Sequence, residues 1–180
     1  MAQTIVLVRH GRSAHVHPTM LDFDGFLRWR ADYEAAGIDD EPPPALKAMA
    51  STSGIVVASN ARRAIDSAKL LDPSREIETT DLLGELALVP PKIRAIRMPL
   101  LGWALAIGLR SMLGTSDAEV QRSRDAVTWL TALADRHGTV LAVTHTSFRE
   151  LLSKRLLERG WRCEIPARKR DHWSAWTFSR

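Results

Sequence analysis

The chain has 180 residues, enough for one domain with a sizeable core, and we expect a single domain over residues 1–180. Its 45% hydrophobic and 26% charged residues are ordinary for a soluble globular protein and exclude a fibrous or disordered chain. The net charge of +4 favours anionic partners. No nucleic-acid recognition motif accompanies this charge, so we predict no nucleic-acid partner.

Three further features bear on the compartment. The longest apolar stretch, residues 98–109, contains Pro99, Gly102 and Gly108 and is too short to cross a bilayer, which predicts no membrane partner. The N-terminal residues do not resemble a signal peptide. The single cysteine, Cys163, allows no internal disulfide and suits a reducing compartment. We therefore expect a cytoplasmic protein, and no feature of the sequence indicates an oligomeric state.

Three short apolar runs rich in β-branched residues predict strands. They occupy residues 4–8, 55–58 and 139–143, and each stops at polar or basic residues. Continuous apolar runs of this length are typical of strands buried on both faces, and hence of a parallel or largely parallel sheet. A further run at 173–178 predicts the last strand.

Serine caps and apolar periodicity predict the helices between these strands. Ser59 is a suitable N-cap for a helix over 61–71, whose apolar residues form one stripe. Ser116 and Ser147 each begin a capping box, because a glutamate follows three residues later. Gly160 would end the helix that begins at Ser147.

Two regions depart from this alternation of strand and helix. Residues 17–45 contain prolines and an acidic patch, with a short helix predicted over 26–36. Residues 84–115 are predicted to form a small, mostly helical insertion that covers the functional site. The rest of the chain predicts an α/β fold, a three-layer α/β/α sandwich with a mostly parallel central sheet and helices on both faces.

The carboxyl ends of the predicted strands bring basic side chains together. In open parallel α/β sheets, ligands bind just beyond this edge. Here the edge receives Arg9, His10, either Arg62 or Arg63, and His145. Arginine binds phosphate oxygens in bidentate fashion and stays charged, and the helix after the third strand adds backbone N–H donors. Such a site suits a dianion.

Histidine is the candidate nucleophile at this edge. Hydroxyl and thiol nucleophiles are missing from the strand ends apart from Ser59, which we interpret as a helix cap. A neutral His10 can attack phosphorus to form a covalent intermediate, and adjacent arginines favour its neutral form. His145 would donate a hydrogen bond to the phosphoryl oxygens in the transition state. A general acid is also needed, to protonate the departing alkoxide.

Four segments, in order along the chain, resemble motifs of the histidine phosphatase, or phosphoglycerate-mutase-like, superfamily. Arg9-His10-Gly11, directly after a strand, is similar to the family signature. Residues 59–68 are similar to its second segment, and Leu83-Gly84-Glu85 resembles its leucine-x-glutamate motif. Val143-Thr144-His145 is similar to the strand end that carries its second histidine.

This resemblance implies a fold, a reaction and a set of site residues. The fold would be phosphoglycerate-mutase-like. The reaction would be hydrolysis of a small phosphomonoester through a phosphohistidine on His10, with no metal or other cofactor. His145 and Glu85 would complete the catalytic set, with Glu85 as the proton donor. The phosphate would be bound by Arg9, Ser13, Arg63 and Thr146. Because the chain is short, a phosphatase is favoured over a mutase.

The sequence departs from the family pattern at two positions and leaves two alternatives open. Val16 stands where members often carry asparagine, and Thr146 where they usually carry glycine. These departures motivate a non-catalytic module that binds a phosphorylated ligand on the same fold. A protein phosphohistidine phosphatase is the second alternative. Glu85 and the 84–115 insertion favour an oxygen ester instead, because imidazole leaves easily without a general acid.

A second copy of the signature tripeptide occurs at Arg136-His137-Gly138. This copy precedes a strand instead of following one. Cationic side chains in the last turn of a helix, followed by glycine, are typical of a helix end. We therefore assign this copy a structural role.

A hydrolytic metal site is the remaining alternative. Its ligands would come from His10, His15, His17, Asp22 and Asp24. Their spacing matches no metal-binding motif, so we predict no metal site.

Overall fold

A six-stranded sheet forms the centre of the molecule in the computed structural model, which describes residues 3–16, 18–86, 90–111, 116–164 and 169–180. The strands are β1 (Thr4–Arg9), β2 (Ile55–Ser59), β3 (Glu78–Thr80), β4 (Thr139–Thr144), β5 (Arg162–Cys163) and β6 (Ala175–Ser179). Their order across the sheet is β3-β2-β4-β1-β6-β5. The first four in this order are parallel, whereas β6 and β5 are antiparallel to their neighbours.

Six α-helices lie within the described part of the chain. They are α1 (Phe23–Ala35), α2 (Pro44–Thr52), α3 (Arg62–Leu71), α4 (Leu100–Ser111), α5 (Asp117–His137) and α6 (Thr146–Glu158). A 3₁₀ turn, Asp81–Leu83, follows β3. None of the helices in these described ranges combines the length and apolarity that a bilayer crossing requires.

Alternate side chains of β1 enter two separate cores. Ile5 and Leu7 pack in a core that includes buried residues of α5 and α6. Val6 and Val8 pack on the opposite face, with buried residues of α2 and α3. The predicted three-layer sandwich with a mostly parallel sheet is thereby confirmed. Because β1, β2 and β4 run in the same direction, their carboxyl ends lie along one edge.

Two strands were not predicted, and the start of a third was predicted wrongly. β3 and β5 are only three and two residues long and carry polar side chains, so no apolar run marks them. The last strand begins at Ala175 and not at Trp173. Trp173 has a φ of 60°, which turns the chain before the strand begins.

Several predicted helix ends are confirmed. Ser116 caps α5, and its hydroxyl accepts a hydrogen bond from the Glu119 amide at 3.3 Å. The second tripeptide copy ends α5, with Gly138 at a φ of 73°. Gly160, with a φ of 82°, follows the end of α6.

Two predicted serine caps are wrong. β2 extends through Ser59, and α3 has Ala61 at its N-cap with no side-chain hydrogen bond. α6 has His145 at its N-cap, and Ser147 lies inside its first turn. Both strands run one residue beyond their apolar runs, which shifts the turn into each helix.

A third, smaller core joins α1 to α4. Its buried residues are Phe23, Phe26, Trp103 and Ile107. The helix predicted over 26–36 is confirmed but begins at Phe23, after Asp22 caps it by accepting from the Gly25 amide at 2.7 Å. α4 lies in the predicted 84–115 insertion, of which residues 87–89 and 112–115 are outside the described residues.

We predict that Gly54→Ala destabilises the protein. A β-carbon at Gly54 would lie 2.1 Å from the carbonyl oxygen of His137, where α5 approaches the start of β2. Relief of this overlap needs a backbone shift, which costs about 1–3 kcal/mol. Urea unfolding would measure the loss. Gly108→Ala is the control, because a β-carbon there meets no heavy atom within 4 Å. An unchanged free energy of unfolding in Gly54→Ala would contradict the prediction.

Candidate active site

His10 follows the last residue of β1 and is held at the sheet edge by its backbone. Its amide donates to the carbonyl of Thr144 at 3.1 Å, and its side chain is only 3% exposed. Nδ1 lies 2.7 Å from the Gly11 carbonyl oxygen. A carbonyl can only accept, so Nδ1 carries the proton of a neutral ring. Nε2 is therefore left with a free electron pair.

The guanidinium of Arg63, in the first turn of α3, connects the two histidines. Its Nε donates to His10 Nε2 at 3.3 Å, and its Nη2 lies 3.3 Å from His145 Nδ1. Nη1 donates to a Glu34 carboxylate oxygen at 3.1 Å and to the Tyr33 carbonyl at 3.4 Å. The Tyr33 ring lies 4.6 Å from the guanidinium carbon. Arg63 is only 2% exposed, so a charged group is held at the edge of the sheet.

His145 is the second histidine of the pair. Its ring centroid lies 5.0 Å from that of His10, and it is 1% exposed. Because Nδ1 accepts from Arg63, Nε2 carries the proton and donates to the Ser59 hydroxyl at 3.0 Å. Ser59 therefore supports His145, and its interpretation as a helix cap is corrected.

Burial and neighbouring positive charge keep both histidines neutral. Burial, with the charges of Arg63 and Arg9, lowers the pKa of His10 from 6.5 to about 3. Burial also lowers the pKa of His145 well below its usual value, and His10 and Arg63 act in the same direction. At neutral pH the two imidazoles thus provide electron pairs beside a cation.

Glu85 is held at the amino end of α6. One carboxylate oxygen accepts from the Phe148 amide at 3.0 Å, and the other from the Ser147 amide at 3.5 Å. The Glu85 carboxylate thus supplies the hydrogen bonds expected from a serine cap. Burial raises the pKa of Glu85, although these backbone N–H groups act against the shift. A raised pKa favours the protonated form of the carboxyl group, which is the form that a general acid needs.

Arg122 of α5 fixes the segment that carries Glu85, and the sequence contained no sign of this role. Its guanidinium donates to the carbonyls of Asp81, Leu82, Gly84 and Glu85 at 2.9–3.2 Å. It also lies 3.9 Å from the centre of the Phe148 ring and donates through Nε to Glu119 at 2.8 Å. A single side chain from α5 therefore orders the backbone before Glu85.

Arg9 and Thr146 both line the cavity that contains His10, Arg63 and Glu85. Arg9 donates through Nη1 to the Arg170 carbonyl, and its buried Nε has no hydrogen-bond partner among the described residues. Burial lowers the pKa of Arg9 from 12.5. Thr146 is the first residue of α6.

Ser13 and Arg62 are not brought into this group. The Ser13 side chain is buried, its hydroxyl accepts from the His15 amide at 3.3 Å, and it is not among the residues that line the cavity. Arg62 is largely exposed and pairs with Asp66 at 2.9 Å on the surface of α3. Of the two arginines left open at this helix start, Arg63 is the one at the site.

A third histidine, His172, lies near His10 and was missed by the sequence analysis. The two ring centroids are 5.8 Å apart. Its segment is held by Arg149 of α6, a buried residue that donates to the Ser174 carbonyl at 2.6 Å and the Lys169 carbonyl at 3.0 Å. His172 lies in the turn before β6, where no motif indicated proximity to β1.

The possible metal ligands have other contacts. Asp22 caps α1, and the His15 ring lies 5.7 Å from that of Trp29. His17 lies outside the described residues. Within the described ranges, no three His, Cys, Asp or Glu side chains are grouped to hold a metal ion.

The cavity has a volume of about 1000 Å³ and is lined by His10, whereas His145 is not among its lining residues and contacts Arg63 behind them. Its inner end is formed by Arg9, His10, Arg63 and Glu85. From there it runs between side chains of α1 and α4. The site therefore combines a cationic end, two neutral imidazoles and a carboxyl group of raised pKa.

We predict that His10 makes stability fall in mild acid. Its folded pKa of about 3 lies below the ordinary 6.5, so the unfolded chain binds the proton first as pH drops below 6.5. This lowers the free energy of unfolding by up to about 1.4 kcal/mol per pH unit. Urea unfolding between pH 7.5 and about pH 4.5 would measure the slope. His10→Asn should have a shallower slope, and equal slopes would refute the prediction.

Comparison with known proteins identifies the fold. No protein-family model matches the sequence, and no curated protein is significantly similar to it. A structure described as mycobacterial hydrolase 2 matches with a TM-score of 0.62 and 20% identity, over 99% of this chain and 82% of the other. A mycobacterial glucosyl-3-phosphoglycerate phosphatase matches with a TM-score of 0.59 and 20% identity. The match covers 99% of this chain and 91% of that phosphatase chain. A phosphoserine phosphatase from Entamoeba histolytica matches with a TM-score of 0.57 and 13% identity. The match covers 97% of this chain and 89% of that phosphatase chain. The chain therefore has the phosphoglycerate-mutase-like fold that its four motifs predicted.

Proposed function

We propose that the protein is a phosphatase that hydrolyses a phosphomonoester through a phosphohistidine on His10, without a metal ion. The observation that carries this proposal is the buried guanidinium of Arg63, which contacts both neutral imidazoles. A cation beside a nucleophilic nitrogen is the arrangement that brings a phosphate dianion to that nitrogen.

The charges of the site support a dianionic ligand. Among the described residues, Arg63 has one carboxylate partner, Glu34, whose side chain is 49% exposed. Arg9 adds a second positive charge, and its Nε–H has no hydrogen-bond partner in the part of the chain that the structure describes. The first turn of α6 begins at the cavity with Thr146. An incoming phosphate would exchange with Glu34 on Arg63 and gain charge-assisted hydrogen bonds. Ser13 stays a predicted phosphate contact.

In the first step the His10 Nε2 electron pair attacks phosphorus. The Arg63 Nε–H that contacts His10 Nε2 would turn to a phosphoryl oxygen when the phosphorus atom approaches Nε2. The N–P bond forms while the ester P–O bond breaks, and Glu85 gives its proton to the departing alkoxide. The His10 Nδ1–H to Gly11 hydrogen bond stabilises the charge that develops on the ring.

In the second step water hydrolyses the phosphohistidine. The Glu85 carboxylate takes a proton from water, whose oxygen attacks phosphorus. The P–N bond breaks, and its electron pair returns to His10 Nε2 as inorganic phosphate is released. Arg63 and Arg9 would stabilise the negative charge of the phosphoryl group in both transition states. His145 stays a predicted donor to the phosphoryl oxygens, a role for which its Nε2–H would leave Ser59.

The structural neighbours support hydrolysis of a phosphate ester in this cavity. One is a glucosyl-3-phosphoglycerate phosphatase and another is a phosphoserine phosphatase crystallised with 3-phosphoglyceric acid. Both act on small phosphorylated molecules. The raised pKa of Glu85, caused first by burial, also favours an oxygen ester over phosphohistidine, because only the alkoxide needs an acid to leave.

His10→Ala should abolish both turnover of p-nitrophenyl phosphate and acid-labile phosphate labelling of the protein. His137→Ala is the matched control, because His137 belongs to the second tripeptide copy and is exposed at the end of α5. Turnover by wild type should survive prolonged chelation. Turnover or labelling that persists in His10→Ala would refute the proposal, and a complete lack of hydrolysis by wild type would favour a binding module.

Glu85→Gln should reduce kcat for an alkyl phosphate by about 10²–10⁴-fold, because general acid catalysis contributes on that order. The reduction for p-nitrophenyl phosphate should be far smaller, since nitrophenolate leaves without protonation. Glu76→Gln is a control at an exposed carboxylate outside the site. Equal effects of Glu85→Gln on both substrates would exclude Glu85 as the general acid.

A further inference from the structure

The part of the cavity beyond the catalytic residues is lined mainly by apolar side chains, although Thr19 and Arg30 also line the cavity. A phosphoryl group occupies only its inner end, so most of the volume of about 1000 Å³ is available to the alcohol part of a substrate. The walls there are formed by Phe26, Trp29 and Tyr33 of α1 and by Leu100, Ala104 and Ile107 of α4.

The α1 wall is a continuous aromatic surface that begins at the catalytic arginine. Tyr33 lies 4.6 Å from the Arg63 guanidinium carbon. Trp29 stacks on Tyr33 with centroids 5.4 Å apart, and Phe26 lies 5.8 Å beyond Trp29. Spacings of three and four residues align these rings along one face of the helix. The surface leads from the phosphate end to the outer cavity.

The α4 wall faces the same space with aliphatic groups. Leu101, Ala104 and Gly108 line the cavity at intervals of three and four residues. Leu101 is 70% exposed although it lines the cavity, so this wall offers apolar surface that the fold itself leaves uncovered. A β-carbon at Gly108 would meet no heavy atom within 4 Å, which shows open space beside the helix.

Such walls distinguish between classes of alcohol. A sugar or an amino acid brings several hydroxyl or charged groups, each of which loses free energy if it is buried without a hydrogen-bond partner. The six side chains named above offer one hydroxyl, that of Tyr33, and the indole N–H of Trp29, which already donates to the Val16 carbonyl at 3.2 Å. Thr19 and Arg30 are further polar residues of the lining, but the aromatic and aliphatic side chains form most of both walls. An apolar alcohol loses no hydrogen bonds there and gains from burial.

We propose that the substrate is a phosphomonoester whose alcohol is an extended apolar group, held between the aromatic face of α1 and the aliphatic face of α4. This inference rests on the proposed phosphatase function. The phosphate binds at Arg63 and Arg9, and the apolar group extends along Tyr33, Trp29 and Phe26. The cavity walls would select substrates by their alcohol part, while the chemical steps at His10 stay the same for every alcohol.

The test is a series of n-alkyl phosphates from ethyl to decyl, assayed below the concentrations at which they form micelles. The value of kcat/KM should rise with chain length by up to about fourfold per methylene, since burial of one CH₂ contributes about 0.8 kcal/mol. The rise should appear mainly in KM. Glucose 6-phosphate and glycerol 3-phosphate should be poor substrates.

Gly108→Leu tests the wall directly, because its side chain would project into the open space. The ratio of kcat/KM for decyl to that for ethyl phosphate should fall by about tenfold or more, as the loss of two to three buried methylenes implies. Leu105→Ala is the matched control, since Leu105 is on α4 and 62% exposed but does not line the cavity. An unchanged ratio in Gly108→Leu would overturn the proposal.

The proposed substrate class and the proposed function can fail separately. If wild type hydrolyses p-nitrophenyl phosphate through His10 but shows no dependence on alkyl length, the substrate class is wrong and the function stands. If no ester is hydrolysed, the function is wrong. Calorimetric binding of ethyl to decyl phosphonates then decides the cavity assignment, because affinity that rises with chain length supports it and constant affinity overturns it.

Discussion

A buried guanidinium between two imidazoles is the interaction on which the rest of the site depends. Arg63 is 2% exposed and contacts His10, His145, Glu34 and Tyr33. A buried charge is costly unless its N–H groups are bonded and its charge is balanced. All three nitrogens of the guanidinium make contacts, but among the described residues Glu34 is its one anionic partner, and that side chain is half exposed. Burial, with this positive charge, keeps the imidazoles neutral, and the charge would attract an incoming dianion.

Two arginines that do not line the cavity hold the parts of the site in position. Arg122 bonds the backbone carbonyls before Glu85, and Arg149 bonds those of the segment around His172. Each guanidinium lies 3.9 Å from an aromatic ring centre. Burial lowers the pKa of Arg149 to about 10, so it stays charged at neutral pH. Planar guanidinium groups suit this role because they donate several hydrogen bonds in fixed directions.

Helix α1 contacts Arg63 at one end and lines the outer cavity along its middle turns. Its last turns contact Arg63 through the Tyr33 ring and the Glu34 carboxylate, and its middle turns present Phe26 and Trp29 to the cavity. Helix α1 is held against α4, because the Phe26 ring stacks on the Trp103 ring with centroids 4.9 Å apart. A change in how α1 and α4 pack would therefore alter both the anion site and the apolar walls.

The sequence by itself determined the three central strands and the edge at which His10, Arg63 and His145 meet. Buried parallel strands are marked by continuous apolar runs, and parallel strands align their carboxyl ends. Only the tertiary structure decided that Ser59 supports His145, that Glu85 caps α6, and that His172 lies beside His10. These pairs are separated by 62 to 162 residues, counted from their numbers. Local periodicity and capping preferences act over a few residues, so they cannot encode which distant side chains meet. Packing of the complete sheet and its helices makes that selection.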